Sequence, residues 1–272
     1  MNAQTLMIRT RRRIFGDLTG NHASLIRGQG YDFEQLRPYI EGDDVRAIDW
    51  KATAKAGEPI IRIVREDRRL RVVVVAWLSA TLFFGTKRLK QEVLAEAVAA
   101  IGQSVVANND IFHPLLFAEE LLVDGGRSNK ANHVKRIVES ILSWPLQGVM
   151  ASPARSVDRL MRLIPRRSLV VLLGDFREEQ IPDFSMLVAK NEVVAVVVRD
   201  HLEENPRYFG FDTLIDPLTQ KNYHWGGGAK EYQARLAAHD AKLFAAFAKH
   251  DIRAIKLYTD DDVITKLARL WW

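Results

Sequence analysis

The 272 residues include no cysteine, which excludes a disulfide framework, a thiolate metal site and a cysteine nucleophile together. Hydrophobic residues make up 47% and charged residues 27%, enough apolar side chains for a substantial core and too many for a disordered chain. The formal net charge of +5 permits an acidic partner, and the length holds one large domain with at most a small appendage.

At the N-terminus, Arg9, Arg11, Arg12 and Arg13 precede no long apolar run. The most apolar stretch, Val72–Leu78, falls far short of the roughly 20 residues a membrane helix needs. The chain is therefore expected to carry neither signal peptide nor membrane span and to be cytoplasmic. A second arginine group, Arg62, Arg65, Arg68, Arg69 and Arg71, is interrupted by Glu66 and Asp67. No aromatic residues alternate with these arginines as a base-stacking platform requires. The expectation is a solvated surface with intramolecular ion pairs, and nucleic acid is not an expected partner.

Residues 1–70 are rich in Gly, Arg and Asp and show no long helical period, so they read as an N-terminal segment distinct from residues 71–272. Gly28, Gly30 and Gly42 supply turns, and Pro38 biases Arg37 toward extended backbone. Arg37 and Arg46 stand among Asp32, Asp43, Asp44 and Asp49, a spacing that suits buried bidentate arginine–carboxylate pairs. Phe33, Leu36, Tyr39, Ile48 and Trp50 are expected to pin the segment to the main domain. Acidic and basic residues alternate here, which speaks against a two-metal centre.

From Val72 onward, apolar strand-like runs alternate with amphipathic stretches, the pattern of an α/β layer architecture. The strand candidates are Val72–Trp77, Phe112–Phe117, Glu120–Val123, Leu169–Leu173, Val193–Val198 and Ala254–Leu257. Most are continuous apolar runs, as strands covered on both faces require. The second and third are too close for a parallel crossover and must form a hairpin, so the sheet is expected to be mostly parallel with one antiparallel edge strand. Helices are predicted over Lys87–Ala107, Asn132–Leu142, Val157–Leu163 and Ala229–Lys249, the last after Gly226–Gly228, with a final one around Asp262–Leu270. Asp260, Asp261 and Asp262 lie near the positive end of that final helix.

The string from Gly28 to Lys51, followed by Pro59–Val64 and an arginine-rich entry into an apolar strand, resembles the domain of unknown function 58 family. These are bacterial von Willebrand factor A-like (vWA-like) proteins that typically accompany MoxR-type AAA+ ATPases. The signature positions are Gly30, Asp32, Phe33, Arg37, Tyr39, Gly42, Asp43, Asp44, Arg46, Asp49 and Trp50. The likeness continues through Leu169–Phe176, the Arg199-Asp200-His201 strand end and the Asp216-Pro217-Leu218-Thr219 turn. It implies a vWA-like (Rossmann-like) sheet with helices on both faces, preceded by a small irregular or β segment. As partners it implies a MoxR-type AAA+ ATPase and other vWA proteins.

In vWA domains the first strand ends in Asp-x-Ser-x-Ser, which with a distant Thr and a second Asp holds a divalent cation. Here Ser79 and Thr81 match the hydroxyl positions and Asp175 the second Asp, but Trp77 stands at the leading carboxylate. Ser152 or Ser156 falls near the loop Thr. One carboxylate among neutral hydroxyls makes a poor Mg²⁺ site, so no metal or other cofactor is expected. Ser79, Thr81 and Asp175 are expected to form a hydrogen-bonded loop cluster, with Trp77 filling the emptied space or presenting a contact surface. Ser79 has no nucleophile elbow around it, and the seven histidines show no metal-ligand spacing. The leading reading is a non-enzymatic interaction scaffold or adaptor in the assembly of other complexes. Two alternatives are a metal-dependent binding protein or hydrolase using Asp175, Ser79 and Thr81, and nucleic-acid binding through the basic N-terminal region.

Overall fold

The computed structural model describes residues 30–40, 43–67, 69–165, 167–206, 213–219, 221–224 and 229–270. Gly28, Gly42 and the Gly226–Gly228 run lie outside them, as do the side chains of Asp32, Phe33 and Arg46. Two compact units meet in sequence between Leu70 and Arg71.

In the smaller unit, strands β1 (Gly30–Pro38) and β2 (Ile60–Asp67) form an antiparallel hairpin with a register shift between Phe33 and Gln35. Gly30 therefore opens a strand rather than supplying a turn. Helix α1 (Trp50–Ala56) starts where the Asp49 carboxylate accepts from the amides of Lys51 and Ala52, donors that a helix start would otherwise leave unpaired. It stops at Gly57, whose φ of 74° suits a residue without a β-carbon. Arg37 grips Asp43 through two parallel bonds of 2.8 Å, and Asp43 also accepts from the Ile40 amide at 2.9 Å. The expected bidentate pair is present but half-exposed. Trp50 is 70% exposed, and Leu36 is exposed as well.

The larger unit holds a six-stranded sheet in the order β10-β7-β6-β3-β4-β5. Its strands are β3 (Arg71–Trp77), β4 (Ile111–Phe117), β5 (Leu121–Asp124), β6 (Leu169–Gly174), β7 (Glu192–Arg199) and β10 (Arg253–Tyr258). Every pairing is parallel except β4–β5, whose hairpin puts the one antiparallel strand at an edge. Helices cover both faces, giving the expected α/β architecture of a mostly parallel sheet with one antiparallel edge strand. Elsewhere β8 (Thr213–Ile215) and β9 (Asn222–His224) pair as a separate short ribbon.

Alternation along β3 assigns the two faces. Val73, Val75 and Trp77 share a core with Leu160 of α4 (Pro153–Leu163), Leu187 of α5 (Ser185–Val188), and Leu243 and Phe247 of α7 (Ala229–Lys249). Val72, Val74 and Ala76 point the other way, toward α2 (Lys90–Ala107), with α3 (Ala131–Ser143) and α8 (Val263–Ala268) packed against it. Each such buried aliphatic side chain contributes about 1.5–3 kcal/mol. Helix α2 is not the one-faced helix its period suggests: nearly all of it is buried, including the polar Lys90, Gln91, Glu96 and Gln103. Gln91 donates to the Ile141 carbonyl at 2.6 Å, tying α2 to the end of α3.

Gly102 sets the α2–α3 approach, because a β-carbon there would meet Val134 Cγ1 at 2.7 Å and the Phe112 ring at 3.1 Å. Gly102→Val should overpack this contact and lower unfolding free energy by about 1–3 kcal/mol, measured by denaturant titration with an unchanged m-value.

Candidate functional site

The chain runs from β3 to β4 on one side of the sheet, then crosses to β6 on the other side of β3. Strand order therefore reverses at the β3–β6 boundary, the place where open α/β sheets form a crevice beyond their carboxyl ends. Ser79 follows β3 and Asp175 follows β6. The Ser79 and Thr81 hydroxyls are 2.6 Å apart, and Thr81 donates to Asp175 Oδ2. These three expected site residues are brought together.

Trp77 is not a contact surface. It is 1% exposed, with its ring 5.4 Å from Phe176 and 6.4 Å from Phe117 (centroid to centroid). Its indole N–H donates to Ser156 Oγ at 2.8 Å, in the first turn of α4. The side chain leaves β3 on the face of Val73 and Val75, so it belongs to the core beneath the crevice. Gly174 admits it, since a β-carbon there would lie 3.3 Å from Trp77 Cβ. Ser152 is engaged elsewhere: its hydroxyl donates to Glu178 Oε2 at 3.0 Å, while Glu178 Oε1 accepts from the Ala154 amide at 2.7 Å. Glu178 thus supports the start of α4, and its burial pushes its pKa up against these two bonds.

The residue beside Asp175 is one that sequence reasoning missed. Lys90, the first residue of α2, is wholly buried, with Nζ 3.2 Å from Asp175 Oδ2 and 2.8 Å from Glu203 Oε1. Glu203 lies in α6 (His201–Glu204) and also faces Arg177 at 3.8 Å. Burial pushes the Asp175 carboxyl up, but Lys90, the Thr81 bond and Arg199 outweigh it and hold the group below its ordinary value.

A second buried group continues the network. Arg199, at the end of β7, donates to the Asp175 carbonyl and to Asp240 Oδ1 of α7, the latter at 2.7 Å. Lys256 lies 2.6 Å from both Asp240 and Glu204. Asp200 accepts from the Thr86 amide and hydroxyl, each at 2.9 Å, from Thr259, and from the Leu202 amide at 2.8 Å. The only sequence signal for this group was the Arg199-Asp200-His201 string. Above the network the loops are apolar and open. Phe83, Phe84 and Met150 are all exposed, the first 51% and the third 54%. Backbone bonds join these loops, from the Ala80 amide to the Val149 carbonyl at 2.8 Å and from the Gly148 amide to the Pro217 carbonyl at 3.3 Å.

Residues 35–242 match the family described as "Protein of unknown function DUF58". The chain belongs to the DUF58 family. It is 30% identical over 286 residues to the uncharacterized protein Rv1480 of Mycobacterium tuberculosis, covering 98% of this chain and 86% of the relative. The uncharacterized protein Mb1516 of Mycobacterium bovis matches equally. Among solved structures, BatB from Bacteroides thetaiotaomicron aligns over 74% of this chain and 95% of its own at 13% identity, with a TM-score of 0.47. An aerotolerance-related membrane protein from Bacteroides fragilis aligns over 74% and 96% at 10% identity, with a TM-score of 0.49. Among the described residues of this DUF58 chain, no helix is long and apolar enough to cross a membrane.

Two outcomes follow from the geometry of this DUF58 site. Trp77→Asp places a carboxylate in the aromatic core rather than in the crevice, and should cost about 3–5 kcal/mol by denaturant unfolding. Because the Asp175 carboxyl is depressed in the fold, the stability it lends is complete above its unfolded pKa of about 3.9 and is lost as pH falls through the lower folded value. Melting temperature against pH should therefore show an acid limb below about pH 4, and Asp175→Asn should shrink that limb while lowering neutral-pH stability by about 3–5 kcal/mol.

Proposed function

We propose that this chain is a non-enzymatic interaction module: a cytoplasmic adaptor that works with a MoxR-type AAA+ ATPase in assembling or maturing other protein complexes. The observation that carries the reading is the contrast at the carboxyl edge of the sheet. Exposed Phe83, Phe84 and Met150 top loops whose buried polar groups are bound to one another. Apolar side chains held open on a fixed backbone favour docking of a protein surface. The polar groups beneath favour it less for catalysis. Ser79 is engaged with Thr81, and Asp175 is held ionised by an ammonium rather than poised near neutrality as a general acid or base. Among the described residues no group of three His, Asp or Glu side chains could hold a metal ion, which weighs against the metal-dependent hydrolase reading. The partner class, with other vWA proteins beside it, comes from the family resemblance.

The full chain should capture a purified MoxR-type AAA+ ATPase from the same organism, with nucleotide present. Phe83→Asp combined with Phe84→Asp should weaken that capture by about 30-fold or more while leaving the melting temperature near wild type. Equal binding by the double variant would remove the carboxyl-edge loops from the interface. No capture of any such ATPase by the wild-type chain would sink the adaptor reading.

A further inference from the structure

We infer that Lys90 is the resident cation of the crevice: its ammonium takes the place beside Asp175 that a divalent ion takes in the metal-dependent form of this fold. The inference concerns the site's own chemistry and stands independently of the proposed ATPase partner.

Lysine is poorly suited to its position on two counts. An ammonium at the first turn of a helix opposes the positive end of the helix dipole. Removing it from water adds a desolvation cost that the flexible stem would normally avoid by turning outward. Lys90 nevertheless has no exposed surface. What holds it is the pair Asp175 and Glu203, both within 3.2 Å of Nζ. The oxygen of Asp175 that meets the ammonium is the one that accepts from Thr81, and Thr81 in turn meets Ser79. Lys90 therefore sits against the carboxylate and hydroxyls that would otherwise ligate a metal.

Charge balance points the same way. Asp175 and Glu203 face Lys90 and Arg177, and Arg199 is matched by Asp240. The two carboxylates nearest the ammonium are thus already matched by two cations, and a divalent ion would bring its charge directly against Lys90. A hard cation also asks for about six oxygen ligands, whereas here the hydroxyls bond to each other and to Asp175. Glu203 Oε2 is buried without a hydrogen bond among the described residues. If Lys90 were shortened, two carboxylates and two hydroxyls would line the space it leaves.

The test uses Mn²⁺ alone, read by its free-ion spin-resonance signal and by thermal melting. Wild type should leave the signal undiminished and its melting temperature unmoved. Lys90→Ser should be destabilised in chelator, take up one Mn²⁺ and regain about 4 °C or more, and lose that uptake when combined with Asp175→Asn. Lys90→Arg, which keeps the charge, should stay indifferent to metal. Should Lys90→Ser be unfolded without metal, its refolding yield with and without Mn²⁺ gives the same answer, and no recovery counts against the inference. Mn²⁺ uptake by wild type that Asp175→Asn abolishes would overturn it. So would a Lys90→Ser variant as stable as wild type and blind to the ion.

Discussion

An ammonium and a guanidinium buried at the carboxyl ends of parallel strands impose the tightest condition on this structure. Lys90 joins the start of α2 to the ends of β6 and α6, while Arg199 joins β7 to the end of β6 and to α7. Asp200 draws the loop before α2 and the end of β10 to the same place. Helices from opposite faces of the sheet are thus registered against one another by charge rather than by packing alone. Such groups are not stabilising by default, because each loses several kcal/mol of hydration that its partners must offset. Taking away one partner of a buried pair costs about 3–5 kcal/mol, more than most single contacts, and hence the geometry tolerates little drift.

This rigidity bears on the loops above. The segment after β3 is anchored below by Thr81 on Asp175 and Thr86 on Asp200, and beside it by the Ala80–Val149 backbone bond. Gly85 lets it turn tightly, since a β-carbon there would overlap the Arg88 carbonyl. Phe83 and Phe84 are therefore displayed on a fixed frame at a topological switch point. Preorganised apolar side chains lose less entropy on binding than mobile ones, and that loss is a main cost of association.

Much of the fold was legible, for reasons that particular residues make clear. Continuous apolar runs such as Val72–Trp77 and Leu169–Leu173 have one comfortable environment, the interior of a sheet covered on both sides. The short spacing between Phe117 and Leu121 admitted only a hairpin. The orientation of Trp77 was also implicit, since alternation from Val73 places it on the core face; reading it as a lost ligand drew attention away from its neighbours. Lys90 was not legible. A lysine at the start of a periodic helix is ordinarily solvated, and its partners Asp175 and Glu203 lie 85 and 113 positions away. In the smaller unit the signature residues turned out to be local. Arg37 with Asp43 and Asp49 with the α1 amides fix the turn after β1 and start a helix between Arg37 and Ala52. A motif can be distinctive because it builds one small unit.

Exchanging a divalent ion for a lysine changes what the crevice responds to. A metal arrives with its own binding equilibrium, so a site that needs one is empty or filled according to ion concentration. An ammonium on the chain has no such equilibrium. At an effective dielectric near 20, two unit charges about 4 Å apart interact by about 4 kcal/mol, which is enough to keep Asp175 ionised but leaves little attraction for an incoming carboxylate once Asp175 and Glu203 are both matched. On the adaptor reading proposed above, recognition at this end of the sheet would fall to shape and apolar contact through the exposed Phe83, Phe84 and Met150. The buried charges hold those side chains in place on the loops they anchor.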